Sequence, residues 1–443
     1  MALDVDRALR IVDGARTVRV TGRVSEITGL VVRATVPGIR HGEMVDIERA
    51  GMEPLPAEVV GFRGEEAVLL PLGEPSGVGP DSAVVPRGQP LTLRVGEALL
   101  GRVVDGLGRP IDDGPPLDGH AGDLEPWPVD RAAPDPLTRR RVDRPLPTGV
   151  RAIDGFLTLG EGQRIGLFAG SGVGKSTLMG QIARSASADV NVICLVGERG
   201  REVRDFIEDS LGPEGLARSV VVCATSDAPS LVRLKSTFVA TAIAEWFRDR
   251  QGKRVLMMVD SLTRFARAQR EVGLSAGEPP ARQGYPPSVF AALPRLLERA
   301  GNSDRGSITA IYTVLVAGGD MEEPIADEVR GIVDGHIVLD RSIGARGRWP
   351  AIDVLHSVSR VMSHVATPEH VAAAQRAREL LAAYESHRDL ITLGAYKRGS
   401  DPRVDAAIAA IDAIEQFLRQ GTHETEPFDE VVAGLAALAG GAA

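Results

Sequence analysis

Over residues 16–95, apolar and polar positions alternate in short runs. Val18, Val20 and Val24 form one such run, and Leu30, Val32, Ala34 and Val36 form another. Gly22, Gly29, Pro37-Gly38, Gly61 and Gly64 punctuate them at short intervals. A period of two broken by turn residues predicts short antiparallel strands, closed into a small barrel or sandwich. From about 150 to 365 the pattern changes. Apolar runs at 164–168, 190–196, 220–224, 255–259, 308–316 and 336–339 alternate with helical stretches, which predicts a mainly parallel sheet with helices on both faces. The connection between these regions is rich in Gly and Pro from Gly101 to Pro116, and laden with proline to Pro147. It reads either as ordered chain wrapped on a neighbouring domain or as a flexible linker.

The last part reads as helical. Thr367-Pro368-Glu369 supplies an N-cap with Pro at the first helical position, opening a helix to about His387. Asp401-Pro402 repeats that start, and Val404, Ile408, Ile411, Ile414 and Leu418 line one stripe of a helix that stops near Gly421. An Ala/Gly-rich tail follows. The pattern divides the chain into 1–95 (barrel), 96–365 (parallel-sheet domain) and 366–443 (helical domain).

Composition narrows the class. The 443 residues are 43% hydrophobic and 25% charged, enough for two or three domains with at least one large core. The longest uncharged run, Gly306 to Gly319, falls short of the ~18 residues a membrane-spanning helix needs. Asp4 and Asp6 stand where a secretory signal would carry basic residues before an apolar run, so the expected location is the cytoplasm. Cys194 and Cys223 lie in apolar runs and read as small buried hydrophobes, not as a disulfide or metal site. A net charge of −9 argues against nonspecific nucleic-acid binding. Nearly every cation is arginine: only Lys175, Lys235, Lys253 and Lys397 are lysines. A lysine kept in such a background is a candidate for a task the planar guanidinium cannot perform.

Lys175 stands in the strongest motif, Ile165-Gly-Leu-Phe-Ala-Gly-Ser-Gly-Val-Gly-Lys-Ser-Thr177. A buried strand ends in a glycine-rich turn and a helix begins. Backbone N–H groups from Ala169 through Gly170, Ser171, Gly172, Val173 and Gly174 can converge on phosphate oxygens, and the helix N-terminus adds positive potential. Lys175 reaches the β and γ phosphates, Ser176 offers a hydroxyl to Mg²⁺, and Thr177 completes the motif. Ala169 stands where the strict pattern has Gly, a departure of one methyl group. The bland alternative is a glycine turn with an incidental lysine. After the strand 190–196 comes Gly197-Glu198-Arg199-Gly200-Arg201-Glu202. A carboxylate there is placed to orient and polarise an attacking water; alone, the same segment reads as a solvated charged loop. Val255-Leu-Met-Met-Val-Asp260 is a core strand that delivers a carboxylate to a Mg²⁺ shell, although buried strands also end in Asp as a helix cap.

With Glu198 and Asp260 on separate strands after the loop, the centre of the chain resembles the RecA-type ATPase core. Pro350-Ala-Ile-Asp-Val-Leu-His-Ser-Val-Ser359 is similar to the signature shared by rotary ATP synthase α and β subunits and their relatives. Phe168–Thr177, Leu211–Ser219, Arg264–Gly273 and Gly284–Phe290 look like the type III secretion ATPases, the export ATPases of injectisomes and flagella. The resemblance spans nearly the whole chain. It is densest from about 145 to 365.

The resemblance implies a RecA-like P-loop NTPase core with an N-terminal small β-barrel and a C-terminal helical domain. It implies ATP hydrolysis with Mg²⁺ that powers protein export, in a homohexamer with nucleotide at subunit interfaces. Glu198 falls at the family's catalytic glutamate, where noncatalytic subunits carry Gln. Arg360 falls at the arginine finger that reaches a neighbour's nucleotide. Arg199 joins the nucleotide contacts. Trp349 stands where relatives usually place a Tyr beside the adenine, and Phe417 is a candidate for the other side of the base or for the core of its own helix. Implied partners are a stator protein at the segment before the barrel, a central stalk at the C-terminal helices, and chaperone-bound export substrates, with the ring peripheral to the cytoplasmic face of the inner membrane. The wording Asp353–Val361 leans toward the injectisome.

Two other readings are weighed. A Rho-like hexameric RNA translocase also joins a small barrel to this core, but the acidic balance, the 10 Phe, 4 Tyr and 3 Trp, and the lack of an aromatic-basic cluster in residues 1–95 stand against it. A rotary synthase-type ring subunit that binds ATP only structurally is opposed by Glu198.

Overall fold

The computed structural model describes residues 20–117 and 124–440. The strand-like reading at Val18 and the proposed stator segment 1–15 lie outside the described residues. The chain divides into two compact units, one holding the described residues up to Thr92 with Ser275–Gly277, the other holding Leu93–Leu274 and the described residues from Glu278 onward.

The first unit contains a closed barrel of six strands, β1 (Gly22–Thr28), β2 (Val31–Thr35), β3 (Met44–Arg49), β4 (Met52–Arg63), β5 (Glu66–Pro71) and β6 (Ala83–Pro86). Their order is β1-β2-β5-β4-β3-β6, with β6 pairing back to β1 and every pairing antiparallel. The alternating positions Val24, Val32, Ala34, Val45, Ile47 and Val84 fill its interior, as period-two patterning requires when one face of each strand is buried.

In the second unit, β7 (Thr92–Val95) and β9 (Glu125–Pro128) form a short ribbon. The main sheet has nine strands: β8 (Val103–Asp105), β10 (Arg164–Ala169), β11 (Val190–Glu198), β12 (Ser219–Thr225), β13 (Arg254–Asp260), β14 (Gly301–Asn302), β15 (Ser307–Leu315), β16 (Gly335–Leu339) and β17 (Ile352–Ser359). Their order is β17-β16-β10-β15-β13-β11-β12-β8, with β14 on β15. All neighbours in that order are parallel except β16 and β17. Every residue of β11 is buried, which is why it reads as an unbroken apolar run and not as an alternation. The edge strand β17, contained in the stretch noted only as a signature, is the antiparallel addition.

The Gly/Pro connection is ordered chain laid on this same unit. Arg139 donates to the carbonyls of Ala300 (2.9 Å) and Glu298, and Arg140 to that of Ser303 (3.1 Å). Three helices close the chain: α1 (Pro368–Thr392), α2 (Pro402–Leu418) and α3 (Phe428–Gly440). Thr367 and Asp401 accept from backbone N–H groups at the first turns of α1 and α2, so both caps stand where the sequence puts them. The Ala/Gly-rich tail lies within the segment expected to be helical. It folds as α3, with Val431 and Leu435 fully buried; alanine is the best helix former, and two large apolar residues one turn apart suffice to dock it.

Beneath the sheet, Arg299 and Glu245 form a fully buried pair, with Nε to Oε1 at 2.8 Å and Nη2 to Oε2 at 2.7 Å. Arg299 also donates to the Val129 carbonyl at 2.9 Å, anchoring the connection. Removing one ion strands the other in a dry interior, so Glu245→Met should cost about 3–5 kcal/mol. The double variant Glu245→Met/Arg299→Met should lose less than the single one. Denaturant unfolding of the three proteins checks both statements.

Candidate functional site

Because β10, β15, β13 and β11 are parallel neighbours, their C-terminal ends share one edge of the sheet. That edge is where open parallel sheets place ligands. It receives Ala169 from β10, Glu198 from β11 and Asp260 from β13.

Ala169 is fully buried, its carbonyl accepting from Val316 N at 3.1 Å. Its methyl is part of the core, so the departure from glycine is absorbed by packing. Gly170, Ser171 and Gly172 then turn outward, Gly172 at φ +77° with open space on its side-chain face. Val173 returns into the core at 3% exposure. Gly174, at φ +80°, opens the helix Lys175–Ser185 from a left-handed conformation that a side chain would oppose. No side chain caps this helix and its first turn holds no acid, so its free N–H groups and positive end face the loop. Ser176 and Thr177 are exposed there.

Lys175 Nζ donates to Asp260 Oδ1 and lies 3.8 Å from Glu198 Oε1. Thr313 Oγ1 donates to the same Asp260 oxygen at 2.8 Å. Arg264 Nη1 sits 2.9 Å from Glu198 Oε2 and also donates to the Gly197 carbonyl. Two carboxyl groups, 8% and 3% exposed, thus face two cations across the mouth of the loop. Burial, the neighbouring Asp260 charge and a hydrogen bond with Glu202 push the Glu198 carboxyl up to about 7, against the pull of Lys175 and Arg264. A carboxyl poised there suits a general base working near neutral pH.

The remaining candidates fall in three places. Trp349, 42% exposed, stands over the loop: a Cβ built on Gly174 would meet its ring at 2.9 Å. Arg199 is exposed, 3.6 Å from Glu202. Phe417 is half-buried and edge-on to Phe156, with centroids 6.1 Å apart. Arg360 is exposed just past the end of β17, with Nη2 3.4 Å from the Arg330 carbonyl. Among the described residues it makes no ion pair.

Sequence reasoning assigned no role to Arg264, Thr313 or Arg341, whose Nη2 holds the Ser171 carbonyl at 2.8 Å. Arg264 follows Asp260 by one helical turn, a spacing that could have marked it. Thr313 could be found only with the strand order in hand.

Residues 149–359 match the model of the ATP synthase alpha/beta family, nucleotide-binding domain, and residues 366–437 match that of the T3SS EscN ATPase C-terminal domain. A type 3 secretion system ATPase of Xanthomonas euvesicatoria is 54% identical over 413 residues, 93% of this chain and 92% of that protein. The flagellum-specific ATP synthase of Bacillus subtilis (strain 168) is 52% identical over 421 residues, 95% of each chain. The chain belongs to the family of type III secretion and flagellum-specific ATPases. The structure of the assembled ATPase EscN from enteropathogenic E. coli superposes on this ATPase with a TM-score of 0.87 at 46% identity, covering 94% of this chain and 100% of that one. The protein is an ATP hydrolase, and the comparisons favour neither a Rho-like translocase nor a synthase subunit. No helix among the described residues is long and apolar enough to cross a membrane.

The raised Glu198 value has a sign. The folded protein keeps this proton between about pH 4.5 and 7, so the stability it contributes declines as pH rises through that window. The base form appears above it. For this ATPase, kcat/KM should rise with pH along a limb centred near 7, and Arg264→Gln should move that limb upward by about one unit or more, because a stabilising cation is gone. The nucleotide's own titration is common to both enzymes, so the displacement isolates the carboxyl. An unmoved limb would assign it to another group.

Proposed function

We propose that this chain is the ATP-driven motor of a type III export apparatus, working as a homohexameric ring whose nucleotide sites lie between subunits. The carrying observation is the position of Arg360. Gly166 pairs with His336, and Gly335 pairs with Ser359, so Arg360 emerges level with the start of β10. The phosphate loop begins at the opposite end of that strand, about 15 Å away at ~3.3 Å per residue. A guanidinium there does not reach its own loop, and its exposure without a carboxylate partner suits a finger presented to the next subunit.

In this reading the backbone from Ala169 to Gly174 cradles the phosphates, with Lys175 leaving Asp260 for the β/γ oxygens and Thr177 and Arg199 at the rim. Glu198 orients the attacking water and takes its proton, while the neighbour's Arg360 meets charge developing on the transferred phosphoryl group. The residues fit a Mg²⁺ ion: Asp260 already attracts a cation, Ser176 is exposed next to Lys175 in the chain, and Mg²⁺ shared with substrate phosphates needs only one or two protein oxygens. Bound there, Mg²⁺ would neutralise phosphate charge. Trp349 supplies a face for the adenine. Phe417 is carried by resemblance alone.

The segments 1–95, 96–365 and 366–443 then divide the work among ring-forming barrel, motor and stalk contact. A solved structure titled as EscN in complex with its central stalk EscO, with a TM-score of 0.86, supports a stalk partner for the C-terminal helices. The stator contact, the chaperone-bound substrates and a peripheral place at the inner membrane belong to the same reading, which assigns no nucleic acid. Injectisome and flagellar relatives match about equally, so it is an export motor of either apparatus.

Mixed rings test it. Lys175→Ala removes the phosphate contact and Arg360→Ala the finger; each homohexamer should lose turnover by about 10³-fold or more. Co-assembled, they should recover part of it at interfaces that join a sound loop to a sound finger. Mixed hexamers that stay inactive, or a fully active Arg360→Ala ring, would refute the interfacial finger.

A further inference from the structure

The backbone of Arg360 shares a carbonyl partner, that of Asp334, with a buried amide just before the phosphate-loop strand. Gln163, the residue before β10, is fully buried. Its Oε1 accepts from Gly160 N at 2.9 Å, and its Nε2 donates to Ser359 Oγ at 3.1 Å and to the Asp334 carbonyl at 3.3 Å. The same Asp334 carbonyl accepts the backbone N–H of Arg360 at 3.0 Å. Ser359 Oγ in turn donates to the Thr158 carbonyl at 3.1 Å. The next residue along the strand adds a second grip: Arg164 N and Nε donate to Asp334 Oδ2 at 2.9 and 3.2 Å. A side chain at Gly335 would collide with the Val358 carbonyl, so the two segments are pressed together where the amide spans them.

We propose that Gln163 is a positioning residue for Arg360, and that it ties the phosphate-loop strand of one nucleotide site to the finger that serves the next. The proposal rests on the interfacial reading of Arg360 and deepens it. The amide is rigidly satisfied on both sides: one end holds the turn that starts β10, the other holds the residue before the finger and the carbonyl that fixes the finger's backbone. In this proposal a displacement of the turn that starts β10 on phosphate binding would pass to the backbone of Arg360 through these short, buried hydrogen bonds. Within one subunit this links occupancy of its own site to the aim of the arginine it lends.

Gln163→Met keeps length and apolar volume and deletes all three side-chain hydrogen bonds. A misaimed finger should lower kcat by about 10–10²-fold, with KM for ATP within about twofold because the variant's own loop is intact. Two readouts separate positioning from mere support of the fold. In single-turnover assays with radiolabelled ATP, Gln163→Met should cause no further loss in an Arg360→Ala background, since the group it acts through is already gone. In mixed rings, Gln163→Met subunits should gain activity with Lys175→Ala partners and none with Arg360→Ala partners, although residue 163 sits on the loop's own strand. Ser359→Ala, which removes one of the amide's two acceptors without touching β10, should act in the same direction and covers the case of an unstable Gln163→Met. Additive losses, a raised KM at unchanged kcat, or rescue by Arg360→Ala partners would overturn the proposal. If Arg360→Ala is itself not rescued by Lys175→Ala, the interfacial finger falls; the double-variant comparison still decides whether Gln163 acts through Arg360.

Discussion

Glu198 and Asp260 are two carboxyl groups taken out of water side by side at the ends of neighbouring parallel strands. Nothing about an α/β sheet favours that by itself. Each buried charge calls for a partner, and the partners come from two further elements: Lys175 from the first turn after the phosphate loop, Arg264 from the first turn after β13. The four charges hold the loop, β11 and β13 in register, and Thr313 from β15 closes the set. The arrangement is balanced only while the lysine stays. On the proposed reading, phosphate would draw Lys175 away, leaving Asp260 with an unmet demand for a cation and removing part of what favours the ionised form of Glu198. Binding and chemistry are thereby coupled through one shared electrostatic account.

That coupling explains why this site's lysine survived in a chain that otherwise uses arginine almost throughout. On the proposed reading Lys175 would serve two partners in turn, Asp260 in one state and phosphate in another. A compact ammonium on a flexible stem does so with little reorganisation, whereas a planar fork is committed to one bidentate geometry. Arg264 has the opposite task. It spans the Glu198 carboxyl and the Gly197 carbonyl at once, and a fork suits it.

The elements most legible in the sequence are those whose burial is complete. β10, β11, β12, β13 and β15 are covered on both faces and show as continuous apolar runs, and their order of appearance with helices between them is enough to imply a parallel sheet. The loop was legible because its glycines are needed for backbone conformation, as Gly172 and Gly174 bear out with positive φ. What stayed hidden depends on strand order. β17 is antiparallel and half-exposed, so it follows neither the buried-run nor the βαβ pattern. α3 carries only two fully buried large side chains and blends into an Ala/Gly-rich composition. Thr313 meets Asp260 because β15 lies next to β13, an adjacency of strands far apart in the sequence. Phe417 shows the same limit: on a helix its stripe is visible, but which neighbour that stripe meets is not, and here it is Phe156.

The sheet also imposes a separation with consequences for the ring. A parallel strand brings its C-terminal end to the phosphates and leaves its N-terminal end on the far side. By turning back antiparallel on β16, β17 carries Arg360 to that far side, level with the residues that begin the phosphate-loop strand. One strand therefore leads into the phosphate-loop motif at one end and, through Arg164 and the preceding Gln163, is bonded to Asp334 and Ser359 beside Arg360 at the other. A β-strand hydrogen-bonded to neighbours on both sides can neither stretch nor slide alone without breaking its ladders, so β10 moves as a stiff unit with β15 and β16. Displacement at the loop is then expected to appear at its base with little loss. In the proposed ring, where each finger would serve the adjacent site, such strands would pass the state of each pocket to its neighbour in one rotational direction only, because finger and loop stand at opposite ends of β10.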